Sequence, residues 1–286
     1  MEMAYGGVNP IDRYIALGRV APDGPLPRTM GVEGVGRAGG RWVVLHGYGL
    51  ASTRDGVWAE AAVVPADATV DVPDGVEPVA AAAVGVAGVT AWRTVTEVAA
   101  VSPADRVLVL GASGGVGTMI VSLARSIGAR VWGQTGSASK VPAVERAGAE
   151  RAVVVDRPEG LAALVTDLSP TVVFDPLGGA FTGEAVGALE PHGRLVLFGT
   201  SADPRGDVPL QAVYRKGISL LGYGGLSEPA AALRRGMEGA LSALRDGRMS
   251  VAVDSVVALE ASQQALDRLA ERSVTGKLVL DLQGAH

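Results

Sequence analysis

The sequence contains no cysteine. Disulfides, a thiol nucleophile and every cysteine-ligated zinc site are therefore outside its chemistry. Histidine is almost as scarce: His46, His192 and His286 are the only imidazoles, far apart along 286 residues. Lysine is confined to Lys140, Lys216 and Lys277, so the basic charge is nearly all arginine. No basic run offers a nucleic-acid footprint, and the net charge of −5 disfavours one. The longest apolar run, Pro78 to Trp92, is too short and too rich in alanine and glycine to span a bilayer. The opening Met1-Glu-Met-Ala-Tyr5 lacks the basic region and apolar stretch of a secretory signal. A cytoplasmic protein with neither nucleic acid nor membrane as partner is expected.

What is present is a chain 48% apolar and rich in glycine, long enough for one large core or two domains. Its organising stretch runs from Asp105 to Gly128. Val107 to Leu110 form a continuous apolar run, short enough for a strand buried on both faces. A turn with Gly111, Gly114, Gly115 and Gly117 follows, and Ala112 stands where a G-x-G-x-x-G pattern has its first glycine. Val116, Ile120, Leu123, Ala124 and Ile127 then recur at helical spacing up to Gly128, suited to the position just past a helix. Strand, glycine turn and helix make a dinucleotide-binding unit, in which backbone N–H groups and the helix dipole meet a pyrophosphate. The candidate contacts are Ala112, Ser113, Gly114, Gly115, Val116 and Gly117.

The rest of the chain divides around this unit. Residues 3–8 read as a strand, Asn9 to Ile15 as a cap and helical turn, and residues 18–31 as a loop. Short strand-like pieces then follow at Val35, Trp42–Leu45 and Trp58–Val64, the texture of a small β-rich lobe. Val76 to Trp92 holds two helical segments. Strands are expected at 130–133, 152–155, 172–175, 195–198 and 218–221, with helices at 140–147, 160–168 and 181–189 between them. This alternation predicts a doubly wound parallel sheet. Glu228–Arg245 reads as an amphipathic helix, and the tail as a strand at 251–257, a helix at 262–269 and a strand at 277–282.

The ordered set Gly7-Val-Asn-Pro-Ile-Asp12, Gly31-Val-Glu-Gly-Val-Gly36, Gly88-Val-Thr-Ala-Trp92, Gly111-Ala-Ser-Gly-Gly-Val-Gly117, Phe174-Asp-Pro-Leu-Gly-Gly179, Gly193-Arg-Leu-Val and Thr275-Gly-Lys-Leu-Val-Leu280 spans nearly the whole sequence. It resembles the medium-chain dehydrogenase/reductase superfamily, in its zinc-free quinone oxidoreductase-like branch. The resemblance implies an α/β fold: a Rossmann doubly wound sheet plus a β-rich GroES-like catalytic lobe. Residues 1–94 and 226–286 would form that lobe, and residues 95–225 the dinucleotide-binding domain. Relatives begin earlier, so either the start is misplaced or the lobe is N-terminally shortened, with a sheet edge for a partner or dimer mate to cover. A homodimer through edge strands near Ile218–Leu221 is implied.

Cofactor choice is the sharpest expectation. NAD-binding members of this fold carry an acid about 20 residues past the glycines, at the end of the second strand. Between Arg130 and Lys140 there is none, and Ser137 and Lys140 instead offer a hydroxyl and a cation suited to a 2′-phosphate. The resemblance points to the same pair, so NADPH is the expected cofactor, with Arg157 as an additional cation. Phe198, Gly199 and Gly222 sit at the ends of later strands, where backbone groups could meet the nicotinamide. The resemblance also puts Asp12 and Lys277 among cofactor-contacting residues. Asn9, Asp12 and Tyr14 match its Asn-x-x-Asp-x-Tyr pattern, and Thr90 a position beside the nicotinamide. Tyr14 could donate a proton or hydrogen-bond a carbonyl, with Asn9 orienting it; equally, Asn9 could cap a helix and Tyr14 pack. Asp175 could face the ligand crevice or cap the turn that follows it. Val32 stands where zinc enzymes of the superfamily have a histidine before the glutamate that matches Glu33, so no metal is expected. The expected activity is NADPH-dependent hydride transfer to a quinone or an activated C=C. The alternative is a non-catalytic NADPH-binding or scaffold member of the same fold.

Overall fold

The computed structural model describes residues 1–284, so His286 lies outside the described residues. The chain falls into two compact units, residues 1–89 with 225–247 and 251–286, and residues 90–224 with 248–250.

Twelve strands are named in chain order: β1 (Glu2–Val8), β2 (Glu33–Ala38), β3 (Arg41–His46), β4 (Thr69–Asp71), β5 (Arg106–Val109), β6 (Arg130–Thr135), β7 (Arg151–Val154), β8 (Val172–Asp175), β9 (Arg194–Leu197), β10 (Ser219–Gly222), β11 (Val253–Ala258) and β12 (Lys277–Asp281). The α-helices are α1 (Pro10–Ala16), α2 (Pro78–Ala81), α3 (Val89–Arg93), α4 (Gly115–Ile127), α5 (Val141–Arg146), α6 (Leu161–Leu164), α7 (Gly179–Ala188), α8 (Leu210–Lys216), α9 (Ala230–Arg245) and α10 (Ser262–Ala270). Among the described residues no helix is long and apolar enough to cross a membrane.

The first unit is built on a sheet ordered β11-β12-β1-β2-β3-β4. Only β11 and β12 pair in parallel; the other neighbours are antiparallel. β1 lies in the middle, paired on one side with the tail strand β12 and on the other with β2. The sheet therefore joins the first residues of the chain to the last strand, and Met3, Val8, Leu45, Leu278 and Leu280 share one apolar core with Trp58.

The second unit is a six-stranded parallel sheet ordered β10-β9-β8-β5-β6-β7. Chain direction reverses its progress between β5 and β8, the switch point at which an open α/β sheet forms its ligand crevice. Val107, Leu108 and Val109 are fully buried, as a central parallel strand with both faces covered requires. Gly128 closes α4 at φ 101°, a left-handed conformation that places glycine past the helix end.

Some elements differ from expectation. Trp58–Val64 forms no strand: one bridge links Ala61 to Glu2, and while Trp58, Ala62 and Val64 pack on the core of the first unit, Val63 is 99% exposed. The expected helix at 160–168 shrinks to α6, and the helix expected from Lys140 opens as a 3₁₀ turn over Ala138–Lys140 before α5 begins. The stretch Val84–Val98 winds as π-helical turns on either side of α3.

Candidate functional site

In the parallel-sheet unit, the glycine turn joins β5 to α4 at the switch point. Gly111 has φ 58°, and a Cβ on Gly117 would overlap the Gly111 carbonyl oxygen and lie 2.7 Å from the Ala112 Cα. The helix therefore approaches the turn as closely as backbone allows, which only glycine permits. Gly114 is the N-cap residue of α4 and has no side chain to cap it. The first-turn N–H groups then have no intrahelical acceptor and present an anion site. Ala112 and Ser113 are buried, and the Ser113 hydroxyl is 3.1 Å from that of Thr135 at the end of β6.

Past β6 the chain makes a hydroxyl-lined turn. Ser137 caps the short 3₁₀ segment, its Oγ 2.8 Å from the Ser139 Oγ, and Lys140 ends the segment. Arg157 is exposed in the loop after β7.

On the other side of the switch point, Asp175 ends β8 fully buried. Its Oδ1 accepts the Leu177 and Gly178 N–H groups at 2.7 and 3.0 Å, and its Oδ2 accepts the Thr182 hydroxyl at 2.6 Å. Both oxygens are spent on the turn, so of the two readings of Asp175 the structure supports the cap. Phe198 donates its N–H to the Asp175 carbonyl, and a Cβ on Gly199 would sit 2.8 Å from the Pro176 carbonyl oxygen. The loops after β8 and β9 are thus interlocked. Gly222 ends the edge strand β10 in the open, where an added Cβ would meet nothing. Thr90 is buried in α3, and its carbonyl accepts the Thr94 hydroxyl.

The β-rich unit holds a separate polar cluster. Glu33 opens β2 with no exposed surface and is met by three donors: the Lys277 ammonium at 2.9 Å, the Asn9 amide at 2.6 Å and the Val86 N–H at 2.5 Å. Lys277 also donates to the Asn9 Oδ1 at 2.6 Å and to the Val8 carbonyl at 3.1 Å. Asp12 accepts the Asn9 N–H at 2.9 Å and the Val32 N–H at 3.1 Å. Burial pushes the Asp12 carboxyl up to about 7, with the Glu33 charge adding to the rise, against the two backbone donors and Lys277. Burial holds the His46 imidazole below its ordinary value, and its Nδ1 lies 3.2 Å from the Val32 carbonyl oxygen. His46 ends β3, and His192 occupies an exposed turn.

Lys277 and Asp12, expected among cofactor contacts, are also engaged within the protein: all three N–H bonds of Lys277 end on protein acceptors, and both Asp12 oxygens accept backbone N–H groups. Tyr14 is half-buried on α1. The pairing of Glu33 with Lys277, 244 residues apart, carries no local sequence signal.

An α/β dinucleotide-binding unit and a β-rich unit in one chain define the class. A family profile described as zinc-binding dehydrogenase matches residues 115–238. Prostaglandin reductase-3 of Bos taurus is 30% identical over 97% of this chain and 79% of its own length. Acryloyl-coenzyme A reductase of Metallosphaera sedula is 31% identical over 98% and 80% respectively. A quinone oxidoreductase from Thermus thermophilus, solved alone and with NADPH, superimposes with a TM-score of 0.85 at 27% identity, over 99% of this chain and 90% of that one. The chain belongs to the medium-chain dehydrogenase/reductase superfamily, in its quinone oxidoreductase-like branch.

The metal in the profile's description does not fit this chain. Cysteine is absent, Val32 precedes Glu33, and the described residues contain no group of three or more acidic or histidine side chains able to hold an ion.

Proposed function

We propose that this chain is an NADPH-dependent, zinc-independent oxidoreductase that delivers hydride to a quinone or to an activated C=C, as in an enone or enoyl thioester. The observation that carries the reading is the glycine turn at the switch point, where the uncapped start of α4 leaves first-turn N–H groups to a pyrophosphate. Ala112 to Gly117 would hold the diphosphate, and Ser137 and Lys140, with Arg157, would meet the 2′-phosphate. The backbone at Phe198, Gly199 and Gly222 would border the nicotinamide. Bound there, the nicotinamide supplies the hydride.

The chain's own part is to orient the acceptor and polarise its oxygen. Tyr14 and Thr90 serve as hydroxyl donors, and Asn9 holds α1 in place. No strongly acidic donor adjoins them, which favours electron-poor acceptors over plain ketones. Residues 1–94 and 226–286 act as the catalytic lobe and residues 95–225 as the cofactor domain, and β10, at the edge of its sheet, pairs with a second copy in a homodimer.

The test is a thermal-shift titration with NADPH and with NADH, followed by turnover on a panel of quinones and enones. A melting temperature raised more by NADPH than by NADH, together with turnover, supports the reading. A melting temperature that NADPH leaves unmoved overturns it. Binding without turnover selects the non-catalytic alternative.

A further inference from the structure

Gln134 is an amide inside the parallel sheet, 2% exposed, one residue before the end of β6. Its Oε1 accepts the Gly111 N–H at 2.9 Å and its Nε2 donates to the Val155 carbonyl at 2.5 Å. Its own backbone carbonyl accepts the Ala112 N–H at 2.8 Å. Two consecutive peptide groups of the glycine turn therefore end on one residue. The β5–β6 ladder stops at Val109 and Gly133, and the β6–β7 ladder at Thr135 and Val154. Gly111 and Val155 lie just beyond those last rungs, and the Gln134 side chain bonds to one backbone group on each side, the Gly111 N–H and the Val155 carbonyl.

We infer that Gln134 is a positioning residue for the dinucleotide: it fixes the Gly111–Ala112 peptides, and through them the start of α4, so that it sets affinity for the diphosphate. The inference rests on the NADPH-binding reading above. A primary amide suits the place because it carries an acceptor and a donor at opposite edges. Leucine fills similar volume and bonds to neither neighbour. Glutamate reproduces both bonds only while protonated; ionised, it faces the Val155 carbonyl with no proton to donate.

The role differs in its signature from that of Ser137 and Lys140. Those residues separate NADPH from NADH, whereas the diphosphate is common to both, so loss of Gln134 weakens the two cofactors by one shared factor.

The experiment compares the full chain with Gln134→Leu and Gln134→Glu. NADPH and NADH are titrated by cofactor fluorescence at pH 5.5 and pH 8, with the urea midpoint of each cofactor-free protein measured alongside. Gln134→Leu is expected to weaken both cofactors by a common factor of roughly ten, the worth of about one hydrogen bond. At saturating NADPH its kcat stays near that of the parent, so the change falls on KM. With NADH, which lacks the titrating 2′-phosphate, Gln134→Glu is expected to bind nearly as the parent does at pH 5.5 and to lose that affinity at pH 8, while the parent and the leucine variant change little. Unaltered binding by Gln134→Leu, a change confined to NADPH, or a pH-independent glutamate variant would each overturn the inference. Should the leucine variant fail to fold, the pH profile of the glutamate variant decides alone. A parent protein that binds neither cofactor removes both this inference and the reading beneath it, whereas a binding parent with an indifferent leucine variant removes only this one.

Discussion

The Lys277 ammonium lies 2.9 Å from the Glu33 carboxylate in the interior of the β-rich unit, with the two side chains 4% and 0% exposed. The pair ties the first residue of β12 to the first residue of β2, and with the Asn9 amide it ties both to the N-terminus of α1. A buried ion pair adds little net stability, but removal of one partner strands the other charge without water. Lys277→Met is therefore expected to cost ~3–5 kcal/mol in urea unfolding. Adding Glu33→Gln to it should recover a large part of that loss, because no charge is then left uncompensated. Additive losses in the double variant would show that the two groups do not interact.

Asp12 gives the same unit a pH dependence whose sign is fixed. Its carboxyl is raised from 3.8 to about 7 by burial, so the folded state binds a proton that the unfolded chain has already released. That contribution to stability is whole below about pH 3.8 and is lost as the pH rises through about 7. His46 acts in the opposite sense: its imidazole is held down by burial, so its contribution is lost as the pH falls through the ordinary histidine range. Urea unfolding from pH 5 to pH 8 should show parent and Asp12→Asn curves diverging by roughly 1.4 kcal/mol per pH unit up to neutrality. The variant alone should grow more stable with pH, uncovering His46. Parallel curves would show that Asp12 is ionised throughout.

The parallel strands were legible in the chain because each reads as a short apolar run followed by a turn, as at Val107–Leu110 and Val172–Asp175; their order in the sheet was not. The phosphate turn was legible because the demand on Gly117 is steric and local. Long-range polar pairing was not. Glu33 and Lys277 meet only because β1 lies between β2 and β12, a fact that appears once all three strands are paired. The same holds for Gln134, whose partners come from the turns after β5 and β7. Asp12 and Lys277 were expected at the cofactor from the family resemblance; nothing local in the sequence showed that, as enclosed side chains, they also bond to Asn9, Glu33 and backbone groups. Trp58–Val64 forms no strand, since strand-forming residues need a neighbouring edge as well as a pattern.

Gly117→Ala tests the closeness of helix and turn. A methyl there meets the Gly111 carbonyl and the Ala112 Cα, both main-chain atoms with no rotamer to yield. The turn has to open, at a cost of ~1–3 kcal/mol in stability as judged from overpacked sites. NADPH affinity should fall with it, because the first-turn N–H groups shift away from the diphosphate. Gly187→Ala on α7 is the control, since an added Cβ there meets nothing within 4 Å. Equal stability and equal binding in the two variants would sink the close-approach argument.

The corner after β6 makes the most selective prediction. Ser137 and Ser139 place two hydroxyls 2.8 Å apart, and Lys140 closes the same short turn. A 2′-phosphate there gains a charge-assisted bond that the 2′-hydroxyl of NADH does not need. Lys140→Ala should therefore raise KM for NADPH by roughly tenfold, about 1.4 kcal/mol, and leave KM for NADH unchanged. Because the corner is open to water, the parent's preference for NADPH should shrink as salt rises, and the variant's residual preference should respond less. Measuring kcat/KM for both cofactors across a salt series separates this from a structural effect, which would lower the two together. A Lys140→Ala enzyme that loses NADH as much as NADPH would mean that the corner supports the fold and does not read the phosphate.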